Sequence, residues 1–394
     1  MLNVVTIGDL GEVYTGNTPS KNNVEYYEAN HIMFIKPDIM SFDIAEIEET
    51  NEYISEKARD KARIVPKNSL LVSCIGNIGK LAINKKEASF NQQINAIVHN
   101  SKIISSKYLA YLLKYNQRKL SDIANAPIVP IINKTQFSNF KVQIHEDLSI
   151  QKKIVNILDK SQELINKRKA QIEALDELVK SQFIEMFGEE KYPLVKTEDV
   201  CEYITKGTTP KTNEIMEEYE EGLIPYLKVY NLSFDGSMLF DDKPQYVTEE
   251  THNKFLARSK VFPNDVLMNI VGPPLGKFSL VPNTFSEWNI NQAMAIFRAT
   301  NKINSIYLLH ALKQPRVLKP FIDLAVGVRQ QNLSLLQCRN LEIPLPPLEL
   351  QNQFANFVKQ VDKLKFEVEK SLKELEDNFN SLMQKAFNGQ LFNK

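Results

Sequence analysis

Apolar residues recur along this chain with two periods, and the longer-lived of the two organises everything else. Positions 354, 358, 361, 365, 368, 372, 375, 379, 382 and 386 hold Phe, Val, Val, Lys, Val, Leu, Leu, Phe, Leu and Ala. Only Lys365 interrupts an apolar stripe whose 4-3 spacing predicts a coiled-coil seam on a long helix. Gln151 to Phe187 repeats the layout without a gap, with Ile154, Leu158, Ile165, Ile172, Leu175, Val179 and Met186 on the matching seam. Ser161, Arg168 and Gln182 interrupt that copy. Two seams of equal length in one chain predict an antiparallel pair, because a parallel one needs a long return connection. Phe354 is then expected near the 182–187 end of the first helix.

The segments between the helices carry the shorter, strand-like period, and they also repeat. Val5 to Pro19 returns as Val195 to Pro210 with one residue inserted, matching Asp9 and Asp199, Glu12 and Glu202, Gly16 and Gly207, Thr18 and Thr209, and Pro19 and Pro210. Two β-branched and apolar strands, from Ile32 and from Ile224, end on Lys36 and Lys228. Val65 to Leu71 and Phe262 to Met268 read as turns feeding strands, followed by Gly76-Asn-Ile-Gly79-Lys80 and Gly272-Pro-Pro-Leu-Gly276-Lys277. Asn91 and Asn291 open further strands. Ser106 to Leu113 and Ser305 to Leu312 predict serine-capped amphipathic helices in which Tyr108 and Tyr307 pack. Each unit closes on a polar stretch, Asn133 to Gln136 and Arg329 to Asn332, read as donor-rich loops.

A length of 394 residues suits two or three domains. Lys plus Arg and Asp plus Glu both number 48, so no overall field draws the chain to nucleic acid or to an anionic membrane, and any such surface is local. Cys74, Cys201 and Cys338 form no close pair, which suggests reduced thiols and a cytoplasmic protein. No basic and apolar leader opens the sequence, and no stretch reads as a membrane span. The acidic stretches 46–52 and 214–221 lack spaced ligand patterns, so no metal site is expected. Neither glycine turn is a nucleotide loop, since Leu81 and Phe278 stand where Ser or Thr is needed. A glycine turn still lets backbone approach a phosphate while Lys80 or Lys277 supplies charge, although a plain hairpin turn explains it equally well. The five scattered histidines and the lack of methyltransferase, nuclease or Walker motifs leave no catalytic residue to nominate.

Ile343-Pro-Leu-Pro-Pro-Leu-Glu-Leu-Gln351, Gly16-x-Thr-Pro19, Gly207-Thr-Thr-Pro210 and Gln330-Gln-Asn332 resemble the specificity subunits of Type I restriction-modification systems. The first copy departs from that pattern: Val142 to Leu148 lacks the prolines, so Asp147 or Ser149 is expected to cap its helix where Pro347 pre-sets the second. The resemblance implies an α+β chain of two tandem, pseudo-two-fold-related α/β target recognition domains joined by two long helices in an antiparallel coiled coil. Domain boundaries are expected at 1–148 and 191–346, with helical spacers at 149–190 and 347–394. It further implies that each domain reads one half of a bipartite, asymmetric site in double-stranded DNA while the helices set the gap. Two modification subunits with S-adenosylmethionine, and two restriction subunits with ATP and Mg, would supply the chemistry.

DNA contacts are expected from Gly16, Thr18, Lys36, Lys80, Asn133 and Lys134 in the first domain. In the second they are Lys206, Thr208, Lys228, Asn231, Lys277, Arg329, Gln330, Gln331 and Asn332. Two other readings fit the residues: the target-reading part of a combined restriction-methylation enzyme, and a coiled-coil adaptor that touches only protein. Missing methyltransferase motifs weigh against the first, and zero net charge leans toward the second.

Overall fold

The computed structural model describes residues 2–124, 129–188, 191–272, 274–324 and 331–392, with backbone alone for 321–324 and 331. Both long helices form where the heptad seams predict them, at Leu148–Phe187 and Leu348–Phe387. Asp147 starts the first, its carboxylate accepting the Ser149 N–H at 2.7 Å, while the Pro347 carbonyl accepts from Leu350 and Gln351 at the start of the second. Among the described residues, no helix is long and apolar enough to cross a membrane.

The chain divides into two compact units, Met1–Lys169 with Lys370–Lys394, and Ala170–Glu369. That division cuts both long helices near their middles instead of setting them apart from the domains. The physical reason is packing, since each half-helix joins the core of the domain beside it. In the first unit Ile154, Leu158 and Ile165 share a core with Phe379, Met383, Ala386 and Phe387 and with Tyr108 and Leu112 of the domain. Lys169 pairs with Glu376 at 3.2 Å on the same helix pair.

In the second unit the Phe354 ring lies 5.4 Å from Phe183 and 5.6 Å from Phe187, as the antiparallel register requires. Lys365, the interruption in the seam, meets Asp176 at 2.8 Å and Asp235 at 3.1 Å. One detail of the seam differs from expectation. Val179, Phe183 and Phe187 are buried where the strict heptad places 179, 182 and 186. A helix that packs against a domain as well as a partner helix buries a broader stripe with near-3.6 periodicity, so four-residue steps replace the 4-3 alternation.

Beside its two-stranded pairs each domain contains two larger sheets, and their strand orders agree. The first domain has a five-stranded sheet in the order Gly11–Thr15, Ile94–His99, Leu70–Ser73, Leu81–Asn84, Ile44–Ile47. The second has Cys201–Lys206, Met294–Ala299, Val266–Asn269, Phe278–Leu280 in the corresponding order. The other sheet runs Tyr53–Ile54, Ile32–Ile35, Ala88–Phe90, Ile64–Val65 in the first domain and Tyr246–Val247, Ile224–Leu227, Trp288–Ile290, Lys260–Val261 in the second. In both, its middle pair is parallel and its outer pairs antiparallel. The expected turns before strands hold too: Asn68 and Asn264 take positive φ, a conformation that asparagine tolerates better than most residues.

The domain helices Ser106–Tyr115 and Ser305–Leu312 form with Tyr108 and Tyr307 fully buried. Their caps lie one residue earlier than expected. Ser105 accepts the Tyr108 N–H, and Asn304 accepts from Ile306 and Tyr307. Either residue type satisfies the free N–H groups of a first turn, and Ser106 and Ser305 simply become the first helical residues.

Candidate nucleic-acid interface

In each domain one short turn gathers most of the expected contact residues. In the first it is Asn91–Gln93. The Asn91 N–H donates to Ile35 O, which brings the strand ending at Lys36 alongside. Gly16 closes on the same turn through its N–H to Ile94 O, and Asn17 follows with an N–H to Phe90 O. Thr18 donates its hydroxyl to Gln92 Oε1 at 2.8 Å. The Cys74 N–H reaches Gln93 O, Ile132 N–H reaches Cys74 O, and Gly76 N–H reaches Pro130 O, so the glycine turn and the segment before Asn133 lie alongside. Lys80 donates its ammonium to Pro37 O at 3.0 Å, next to Lys36.

The second domain repeats this around 291–293. Asn291 N–H donates to Leu227 O beside Lys228, Gly207 N–H to Met294 O, and Thr208 N–H to Ile290 O. Gln292 N–H donates to Thr209 Oγ1 at 3.4 Å. Ile270 N–H reaches Ala293 O, and Val271 pairs with Asn332 as Gly272 pairs with Gln331. Thus Thr18, Lys36, Lys80 and Lys134 edge one rim, and Thr208, Lys228, Lys277 and Asn332 edge the other. Lys206 ends the strand that leads into Gly207 and is exposed.

Several expected contacts turn out to hold the rim together. A Cβ on Gly16 would stand 2.1 Å from Asn91 O, and one on Gly207 2.1 Å from Asn291 O. Both glycines are there for close backbone approach within the fold. Asn133 is not in a loop. It caps the helix Lys134–Ser138, accepting the Gln136 N–H at 2.9 Å while its own N–H donates to Gln136 Oε1 at 3.0 Å. Asn231 is fully buried, with Oδ1 taken by Lys228 N–H at 2.8 Å and Nδ2 donating to Leu239 O at 3.1 Å, which removes it from any surface. Lys36 is paired with Glu52. Thr208 accepts from Arg258 Nε at 3.0 Å.

Arg329 and Gln330 lie outside the described residues. Asn332, in a two-residue strand, is exposed. Its counterpart is Ile131, which bridges Ile75 as Asn332 pairs with Val271. The true partner of the Asn133–Gln136 cap is the capping box of Ser334 and Gln337, so the polar stretch at 329–332 is offset from the one at 133–136.

Gln92, Gln292 and Arg258 are exposed on these rims and were not singled out from sequence. The Asn-Gln pair occurring in both copies, at 91–92 and 291–292, was the available signal. Lys277 stands 5.7 Å over the exposed Phe234 ring. The rims therefore present amides, hydroxyls, lysines and an arginine, groups suited to phosphates and base edges.

Burial pushes the thiols of Cys74, Cys201 and Cys338 up to about 12, leaving them protonated. Burial also lowers His99, His145 and His252, and holds His310 down to about 3, so these imidazoles are neutral near pH 7. Among the described residues no group of three His, Cys, Asp or Glu side chains could hold a metal.

The family model for the Type I restriction modification DNA specificity domain matches residues 2–174 and 189–377. The chain is 24% identical to the Type I restriction enzyme MjaVIII specificity subunit of Methanocaldococcus jannaschii, over 94% of this chain and 88% of that one. With the EcoR124I/EcoR124II specificity subunit of Escherichia coli it shares 30% identity over 41% of each chain. Among solved structures, the S subunit from M. genitalium superposes with a TM-score of 0.58 at 16% identity, over 98% of this chain and 96% of that one. A chain solved in work on complex assembly and conformational transition of the type I R-M system gives 0.59 at 16% identity, over 99% and 98%. At that identity the structural likeness concerns the fold, two tandem domains with two long helices.

Proposed function

This chain belongs to the family of Type I restriction modification DNA specificity domains, and on that premise we propose that its two target recognition domains each read one half of a bipartite, asymmetric DNA site. The observation that carries the reading is one framework built twice around two unlike rims. The sheet orders match, whereas the rims offer Gly76-Asn-Ile-Gly79-Lys80, Ile131 and Lys134 on one side and Gly276-Lys277, Arg258 and Asn332 on the other. Unlike rims select unlike half-sites, where a symmetric dimer would select a palindrome.

Lys80, Lys134, Lys206 and Lys277 are assigned to phosphates, and Thr18, Gln92, Gln292 and Asn332 to base edges. Gly16, Gly207, Asn133 and Asn231 act from beneath, by shaping the backbone. Arg329, Gln330 and Gln331 are proposed as further DNA contacts of the second domain. A 40-residue helix spans about 60 Å at about 1.5 Å per residue. That length matches about 18 base pairs spaced about 3.4 Å, room for two short half-sites and an unread gap.

Catalysis belongs to partners: two modification subunits that bring S-adenosylmethionine, and two restriction subunits that use ATP and Mg. The test is the salt dependence of DNA affinity in the assembled complex, since each neutralised phosphate releases counterions. Affinity should fall steeply with salt, and Lys80→Ala and Lys277→Ala should each reduce the log-log slope by about one. An affinity indifferent to salt would refute the reading in favour of a protein-only adaptor.

A further inference from the structure

Gln151 and Gln351 stand 200 residues apart, each in the first turn of a long helix, and are 1% and 0% exposed. Gln151 Nε2 donates to Ile103 O at 2.9 Å and to His145 O at 2.7 Å. Gln351 Nε2 donates to Pro346 O at 2.8 Å and to Lys302 O at 3.4 Å, and its Oε1 accepts the Asn304 N–H at 2.8 Å. Each amide thus ties three elements: the long helix, the chain leading into it (the strand end at His145 in the first copy, Pro346 just past the strand Glu342–Pro344 in the second), and the turn that starts the domain helix.

A buried tyrosine adds to each joint. Tyr108 Oη accepts the His145 N–H at 3.1 Å, and the Tyr307 hydroxyl donates to Pro344 O at 2.7 Å. Polar groups this buried hold their partners strongly, because an unmade bond there leaves carbonyls without a donor.

We propose that Gln151 and Gln351 are positioning residues that fix the angle between each recognition domain and its helix, and thereby restrict the DNA gap to a single length. This rests on the bipartite reading given above. Base pairs lie about 3.4 Å apart along the duplex, so play at a joint that moves a rim by that distance admits a second gap. The joints are not equal. Gln151 Oε1 is buried without a partner, whereas Gln351 uses both ends of its amide, so the second joint contributes more.

Gln151→Met and Gln351→Met keep the volume and remove the amide, and Tyr307→Phe is a milder change at the same joint. Full-length variants assembled with the cognate modification subunit are compared by mapping methylated sites. Native complexes should methylate one gap length. Gln351→Met should lower the ratio of methylation at that gap to methylation at gaps one base pair longer or shorter by at least tenfold. Gln151→Met should lower it less, Tyr307→Phe in the same direction but least, and the half-site sequences should not change.

Native gap discrimination in Gln351→Met complexes overturns the proposal, as does a change of half-site sequence. Should the methionine variants fail to assemble, unaltered gap discrimination in Tyr307→Phe overturns it and relaxed discrimination supports it. A native complex whose methylated sites are not bipartite refutes the functional reading before any variant is compared, which separates the two failures.

Discussion

The two domains are most alike where each meets its long helix and least alike on their rims. At the joints Gln151 matches Gln351, Tyr108 matches Tyr307, and Leu2–Thr6 pairs with Lys141–His145 as Leu194–Lys196 pairs with Glu342–Pro344. On the rims a four-residue step between glycines faces a three-residue one, and Ile131 stands where the other copy has Asn332. One sheet even gains an edge strand, Ile44–Ile47, that the other lacks among the described residues. A joint meets the same packing problem in both copies, whereas a rim answers only to what it contacts. The contrast is what the proposed function requires, with separation governed by the shared joints and identity by each rim on its own.

The largest effect expected lies at the second joint. Phe354 is fully buried among Phe183, Phe187 and His310, so Phe354→Ala should cost about 3–5 kcal/mol in urea unfolding. Phe366→Ala, on an exposed residue of the same helix, should stay within about 0.5 kcal/mol. Comparable losses for both would break the assignment of the seam.

Next come the glycines. Gly16→Ala and Gly207→Ala each force a Cβ against a carbonyl at the same distance, and should each cost about 2–3 kcal/mol. Sensitivity at only one of them would show that the repeated framework is not equally constrained.

A smaller, pH-dependent effect sharpens the comparison at one matched pair, Tyr111 and His310, which occupy the same place on the two domain helices. Burial holds His310 down to about 3, below its unfolded value of about 6.5. The unfolded chain therefore takes up this proton first. The contribution is intact above about pH 6.5 and is lost toward pH 3, at up to about 1.4 kcal/mol per pH unit. Tyr111 behaves oppositely: burial and its bond to Asp159 raise its pKa, so its contribution is lost only on the alkaline side, above about pH 10. Acid melts of His310→Phe should show a shallower slope than the native chain, and an unchanged slope would contradict the assignment. Smallest of all, Lys134→Ala should weaken DNA binding evenly across sequences, reducing the salt slope by about one.

Much of the scaffold was legible from sequence because it is periodic. The heptad seam gave both long helices and their antiparallel register, and the internal repeat gave two copies of one domain. The rims were read less well, for physical reasons that differ by residue. Asn231 and Asn133 have the composition of a contact surface, but their amides satisfy neighbouring backbone, which composition cannot distinguish. Lys36 is paired with a glutamate sixteen positions away, Glu52, a pairing that depends on tertiary structure. The polar stretches at 133–136 and 329–332 carry no period, so their register had to come from strand pairing.

Gln151 and Gln351 occupy matching positions at their helix starts, yet nothing in a sequence says that a glutamine after a proline or aspartate start is buried.

The most direct test of the central claim is a genome-wide map of the bases methylated by this chain assembled with its modification subunit. Two different half-sites separated by one fixed, unread gap are predicted, each half-site changing only when the rim of its own domain is altered. A palindromic motif, or one uninterrupted sequence, would contradict the account.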